Sequence, residues 1–266
     1  MLLGFWAVLG LAVTGGHAEP SNIGTRAQLN DHTLHMQLQR LSQTLQATHA
    51  GKILVIGSSS TVGLGATSAS KTYVARLEPD LESAVAGVDF EVIGRGISGE
   101  VAQGAADRMR REVDEVKPDL VIWQVGTNDA LGHVDIVRFR ACLQKTLSWL
   151  KTQNIDVMLI NPQYGQSLVK DAFYEQVVTA IAQVAQDAQV PVVDRFGAMR
   201  KLEENHLPAV LSADNLHMND DGYRRLAEQL TAAIVSGLPK DGITHGTAAM
   251  AHNVGQDAGN LNLSGR

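Results

Sequence analysis

The chain has one cysteine, Cys142, in 266 residues, so an intrachain disulfide is impossible. It has no stretch rich in Lys or Arg, and its 22 basic residues are outnumbered by 28 acidic ones, for a net charge of −6. A polyanion is held by a basic patch, so nucleic acid is set aside as a partner. There is no HExxH and no Cys/His cluster, so no metal is implied. The Gly-rich segment "GSSSTVG" (57–63) lacks the Lys-Ser/Thr of a phosphate-binding loop. No internal repeat is found. No basic residue precedes the apolar run that opens the chain, although the rest of that run has the form of an export signal.

That run, "MLLGFWAVLGLAVTGGHA", is apolar from Leu2 to Val13, which is signal-core length and short for a membrane span. Gly16 and Ala18 are spaced for cleavage before Glu19. Residues 1–18 therefore predict an exported protein, periplasmic or secreted, whose mature form keeps no membrane span. Residues 19–50 carry Leu29, Leu34, Leu38, Leu41 and Leu45 at helical spacing over 26–48. Residues 51–236 form the main domain, and 237–266, rich in Gly, Ala, Asn and Thr without periodicity, predict a disordered tail.

Within the main domain, strands and helices alternate. "KILVIG", "DFEVIG", "DLVIWQVG", "IDVMLI" and "VPVVD" are short apolar strands. Helices are predicted over 71–85, 99–116, 135–152, 168–187 and from Asn219, as cap, to about Val235. Cys142 shares a helical face with Phe139, Leu143, Leu147 and Leu150 and reads as a buried small apolar side chain. With 44% hydrophobic and 19% charged residues, this is an ordinary soluble globular composition. The strands are apolar on both sides, so the fold expected is a single-domain three-layer α/β/α sandwich around a five-stranded parallel sheet.

In such a sheet ligands bind beyond the carboxyl ends of the strands. "GSSST", "GRGISGE", "GTND" and "NPQYG" stand there. "GRGISG" (94–99) fits the dinucleotide pattern G-x-G-x-x-G literally. It belongs to the second strand, however, and the acidic residue at the right distance, Asp119, begins its strand instead of ending it. Near the end of the chain, "SADNLHMNDDGY" puts Asp214 three residues before His217. A serine nucleophile needs a base, a carboxylate to orient the base, and donors for the oxyanion. Alone, the Asp-x-x-His pair reads as a turn cap beside an exposed histidine.

Together, Gly57-Ser58-Ser59-Ser60-Thr61, Gly94-Arg95-Gly96-Ile97-Ser98-Gly99, Gly126-Thr127-Asn128-Asp129 and Asp214-Asn215-Leu216-His217 resemble, in order, the four blocks of the SGNH hydrolases, the GDSL esterase/lipase superfamily. The resemblance spans residues 52–236. It implies the flavodoxin-like SGNH fold and a serine esterase with no cofactor. Ser59 is the implied nucleophile, His217 the base and Asp214 its partner. The implied oxyanion hole is made of Ser59 N–H, Gly96 N–H and the Asn128 amide. Ser58 stands where the family usually has Asp, Ser60 where it has Leu, and Gly94 where it has Asn. Asp129 reads as a loop brace. No long apolar insertion forms a lid or acyl tunnel, so a short, acetyl-type acyl group is expected. Gln163, Tyr164 and His133 are polar residues suited to an alcohol or carbohydrate moiety, and equally suited to being ordinary loop residues. Thioesterase, lysophospholipase, arylesterase and acyltransferase activities stay open within the superfamily. A non-catalytic binding module and a dinucleotide enzyme are the alternatives outside it.

Overall fold

A computed structural model describes residues 38–205 and 209–239. The export signal, the first part of the N-terminal helix and residues 240–266 lie outside the described residues. In chain order the elements are α1 (Gln39–Thr48), β1 (Ala50–Gly57), α2 (Ser59–Val62), a 3-10 turn (Ala69–Lys71), α3 (Tyr73–Ala84), β2 (Asp89–Gly96), α4 (Ala102–Val116), β3 (Leu120–Gln124), α5 (Thr127–Leu131), α6 (Ile136–Thr152), β4 (Asp156–Ile160), α7 (Ala172–Asp187), β5 (Val192–Val193), α8 (Arg195–Glu204) and α9 (Asp220–Gly237).

The five strands form one sheet in the order β2-β1-β3-β4-β5, every neighbouring pair parallel. Alternate side chains of each strand enter opposite layers. Ile53, Val55, Leu120, Ile122, Met158 and Ile160 pack with Leu41, Leu45, Leu77, Leu81, Leu226 and Leu230 of α1, α3 and α9. Leu54, Ile56, Val121, Trp123, Val157 and Leu159 pack with Met109, Phe139, Leu143, Leu147, Ile181 and Val184 of α4, α6 and α7. Both faces of the sheet are thus buried, which is why the strands read as unbroken apolar runs. Cys142 is buried on α6, and burial pushes its thiol up to about 11.

Side-chain caps set several helix starts: Thr72, Asp135, Asp171, Asp194 and the expected Asn219 each accept a backbone N–H of the first turn. Three helices escape the sequence reading. α2 and α5 are single turns with no period to detect, and α8 begins directly after the short β5. The last helix runs to Gly237, whose carbonyl accepts Leu38 N–H, and Leu238 is buried, so ordered packing extends past the domain boundary expected at residue 236. Among the described residues no helix is long and apolar enough to cross a membrane.

Asp119 marks the amino edge of the sheet. Its buried carboxylate accepts Lys52 N–H at 3.0 Å and Thr44 Oγ1 at 2.7 Å, and pairs with Arg40 at 3.2 Å. It clamps α1 to β1 and β3, far from the strand ends that a ribose would need, so the G-x-G-x-x-G match has no acidic partner in place. Removing this acceptor orphans several donors, each costly when buried. Asp119→Ala is expected to cost about 2 kcal/mol and lower Tm by about 5 °C, with ester turnover at 25 °C unchanged. Thermal unfolding followed by circular dichroism, beside an activity assay, checks both halves.

Candidate active site

Ser59 opens α2 immediately after β1 ends. Its N–H precedes the first bonds of that turn, in which Ser58 O accepts Thr61 N–H and Val62 N–H. The loop after α2 turns back against the segment carrying His217. Leu64 O accepts the Tyr223 hydroxyl at 2.6 Å, and Thr67 donates from N and Oγ1 to Asp220 at 2.8 and 2.6 Å. Residues 211–218 form a tight turn closed by an antiparallel bridge between Leu211 and Met218 and by Ser212 N–H to His217 O. These ties bring together residues 158 positions apart: His217 Nε2 stands 2.9 Å from Ser59 Oγ.

Asp214 holds the other side of the ring, with Oδ2 2.6 Å from His217 Nδ1. Its Oδ1 accepts Ser212 Oγ at 2.8 Å and the N–H groups of Leu216 and His217, both at 2.9 Å. The imidazole, followed by the two amides and the serine hydroxyl, holds this carboxyl well below the ordinary aspartate value. It therefore stays ionised, fixes Nδ1 as the protonated ring nitrogen, and leaves Nε2 to accept from Ser59.

Asn128 lies on α5 beyond β3, where its Nδ2 donates to Glu100 O at 2.9 Å. That bond docks the 97–100 turn, which Glu100 N–H closes onto Ile97 O, beside the strand end. Gly99 within this turn has φ 78° and open space where a Cβ would stand. Gly96, by contrast, does not fit the donor role expected of it. Ile97 N–H bonds Gly57 O, so in a parallel pair the N–H of Gly96 points away from β1, toward the free edge of β2. What Gly96 allows is close packing, since a Cβ there would lie 2.6 Å from Val62 N. The glycine of the second block that approaches Asn128 is Gly99.

The three substrate candidates are not gathered together. Gln163 is buried, accepting Thr127 Oγ1 at 2.8 Å and donating to Leu216 O at 3.1 Å, so it ties α5 to the His217 turn. Tyr164 lines a cleft of about 690 Å³ with Lys170, Glu203, Leu211 and Asn215. A hydrogen bond with Glu203 pushes its phenol up. His133 is exposed, stacked on Phe173 at 4.9 Å and paired with Asp171 at 2.6 Å. Neither Ser59 nor His217 lines the Tyr164 cleft, and only about 10 Å³ of space lies at the junction of Ser58, Glu100 and Asn128.

Beneath the site lie groups that the sequence reading passed over. Gln124 Oε1 accepts Ser58 N–H at 2.9 Å, Ser58 Oγ at 3.2 Å and Thr61 Oγ1 at 3.3 Å. Its signal was visible, as the one amide in the apolar run "DLVIWQVG". Arg195 is wholly buried, donating from Nε to Asn161 O at 3.0 Å and from Nη1 to Ser60 Oγ at 3.2 Å, while Nη2 has no partner among the described residues. Asp129 is buried and accepts Ala102 N–H with both oxygens, at 3.0 and 3.1 Å. It braces the start of α4, as expected.

A model of the non-GDSL lipase-like family matches residues 26–240. Esterase TesA of Pseudomonas aeruginosa is 29% identical over 70% of this chain and 88% of that protein. An acetylxylan esterase of Geobacillus stearothermophilus is 26% identical over 66% of this chain and 90% of that protein. An arylesterase of Vibrio mimicus is 28% identical over 74% and 94%. Among solved structures, the lipase/acylhydrolase of Enterococcus faecalis superposes with a TM-score of 0.61 at 26% identity, covering 71% of this chain and 97% of that one.

Burial pushes the Asp129 carboxyl up to about 6, against the opposing pull of the Ala102 N–H. The folded state therefore binds this proton more tightly than the unfolded chain. Its contribution is full below about pH 4 and is lost as pH rises through 6. Asp129→Asn keeps an acceptor for Ala102 without the charge. The stability of the wild type relative to this variant is expected to fall by about 1–3 kcal/mol between pH 4 and 7. Urea unfolding of both proteins across that range measures the difference.

Proposed function

Since the chain belongs to the non-GDSL lipase-like family and is an SGNH-type serine hydrolase of carboxylic esters, we propose that Ser59, His217 and Asp214 carry the reaction. The observation that supports this most directly is the continuous relay from Asp214 Oδ2 through the imidazole to Ser59 Oγ, at 2.6 and 2.9 Å. Ser59 Oγ attacks the ester carbonyl carbon while its proton passes to His217 Nε2. The carbonyl oxygen takes the negative charge. Ser59 N–H, Gly99 N–H and Asn128 Nδ2 are the donors around that position. His217 then gives the proton to the alcohol oxygen as the acyl–oxygen bond breaks. A water, deprotonated by the same nitrogen, releases the acid from Ser59. Asp214 holds the ring and stabilises the imidazolium.

The preferred esters are short-acyl ones, a reading supported by the lack of any long apolar insertion in the domain sequence that could form a lid or an acyl tunnel. The Tyr164 cleft reaches the His217 turn through Leu211 and Asn215 and suits a polar alcohol, including a carbohydrate, on the leaving-group side. The acetylxylan esterase among the relatives is in keeping with that reading. Export from the cytoplasm, read from residues 1–18, suits such a substrate.

Turnover of p-nitrophenyl esters by the wild type, Ser59→Ala and Asn128→Ala tests the assignment. Ser59→Ala is expected to lose nearly all activity, and Asn128→Ala about 10²–10³ in kcat, the loss typical of one oxyanion donor. Full activity in Ser59→Ala would refute the nucleophile, and unchanged kcat in Asn128→Ala would remove that donor.

A further inference from the structure

Few large apolar side chains are exposed among the described residues: Val62, Leu64, Ile97, Leu131 and Val137. Val62 and Leu131 stand in a fixed relation to the site. Val62 lies three residues after Ser59 on α2, and Leu131 three residues after Asn128 on α5. Residues three apart share a helix face. On α2 the intervening Ser60 and Thr61 are buried, as are Asp129 and Ala130 on α5. Each short helix thus shows one polar group and one bare apolar group to the same side.

Ile97 joins the two. It follows Gly96, which packs against the backbone and side chain of Val62, and it begins the turn whose Glu100 carbonyl accepts Asn128 Nδ2. Val62, Ile97 and Leu131 are 49%, 50% and 47% exposed, each half seated on the protein and half open. A protein that buries nearly all its other large apolar groups leaves these three bare on the elements that carry Ser59, Gly99 and Asn128. Exposed apolar side chains gathered on the elements that carry a site's polar groups mark a place where something apolar binds.

The reaction says which part of the substrate that is. The leaving oxygen must meet His217 Nε2 to receive its proton. The carbonyl oxygen must meet the oxyanion donors, so the acyl substituent takes the remaining direction at that carbon, away from His217, where the exposed sides of the helices carrying Ser59 and Asn128 are the surface it can meet. We propose that Val62, Ile97 and Leu131 form an acyl shelf, open to solvent on one side, that selects saturated acyl groups of about four to six carbons over acetyl. The proposal rests on the serine-esterase reading and narrows its short-acyl class. An acetyl group offers a single methyl to this surface, whereas a butyryl or hexanoyl chain lies along it.

The test compares kcat/KM for p-nitrophenyl acetate, butyrate and hexanoate in the wild type, in Val62→Ser, Ile97→Ser and Leu131→Ser, and in the triple variant. Asp119→Ala serves as a control for lost stability at the far edge of the sheet. Covering one face of each added methylene is worth about twofold, so the wild type should favour hexanoate over acetate by about tenfold. Each single substitution should lower that ratio by about twofold, the triple variant should bring it near one, and Asp119→Ala should leave it alone. A wild type that prefers acetate, or a triple variant that keeps the wild-type ratio, overturns the shelf while Ser59-dependent turnover leaves the esterase reading standing. Turnover that persists in Ser59→Ala overturns both.

Discussion

A guanidinium with no carboxylate partner among the described residues sits under the candidate active site, and the strand ends are organised around it. Arg195 is reached from both layers: Tyr73 of α3, Tyr223 of α9 and Tyr174 of α7 lie close enough to feel its charge. Burial keeps all three phenols neutral, with Tyr73 and Tyr174 pushed up to about 12. They therefore offer Arg195 dipoles in place of an opposing charge. A buried charge is expensive, and burial lowers the Arg195 pKa, but a guanidinium remains ionised under such pressure. Its hydrogen bonds go to Asn161 O and Ser60 Oγ, which ties the start of α8 to the segment after β4 and to α2, while the phenol hydroxyls bond Thr61, Gln163 O and Leu64 O around it.

This arrangement gives a physical meaning to the departures in the first sequence block. Ser60, where the family usually has Leu, supplies the oxygen that accepts from Arg195 Nη1. Ser58, where it usually has Asp, supplies two donors to Gln124 Oε1. Both hydroxyls flank the nucleophile and both are buried, so they belong to the support of α2 and leave Ser59 as the serine facing out. The run of three serines is the proposed nucleophile between two braces.

The layer order, every strand and the long helices were legible in the sequence because a doubly covered parallel sheet writes itself as apolar runs separated by amphipathic periods. The meeting of Ser59, His217 and Asp214 was legible only through the resemblance of four separated blocks to one family, since Asp214 and His217 alone read as a turn cap and an exposed histidine. Gly96 was misread for a reason that spacing hides. Its glycine character is demanded by Val62 packed against it, while the direction of its N–H depends on which residue of the strand bonds Gly57. Gln163 looked like a pocket residue because it is polar and follows a strand, yet both ends of its amide are used within the protein. Gln124 left a trace as the one amide in an apolar strand, whereas Arg195 and the exposed faces of α2 and α5 left little, since each depends on contacts between distant segments or on helices of a single turn.

The sharing of Gln124 Oε1 also constrains how this lineage can change. Returning the residue at 58 to the family's usual aspartate would set a carboxylate against an amide oxygen that now collects three donors. Two acceptors would then face each other in a buried space, with no proton between them. The Gln124 amide would have to turn and present Nε2 to that carboxylate, giving up Oε1 as the acceptor of the backbone N–H at 58 and of Thr61 Oγ1. The side chains at 58 and 124 therefore support the Ser59 turn as a pair.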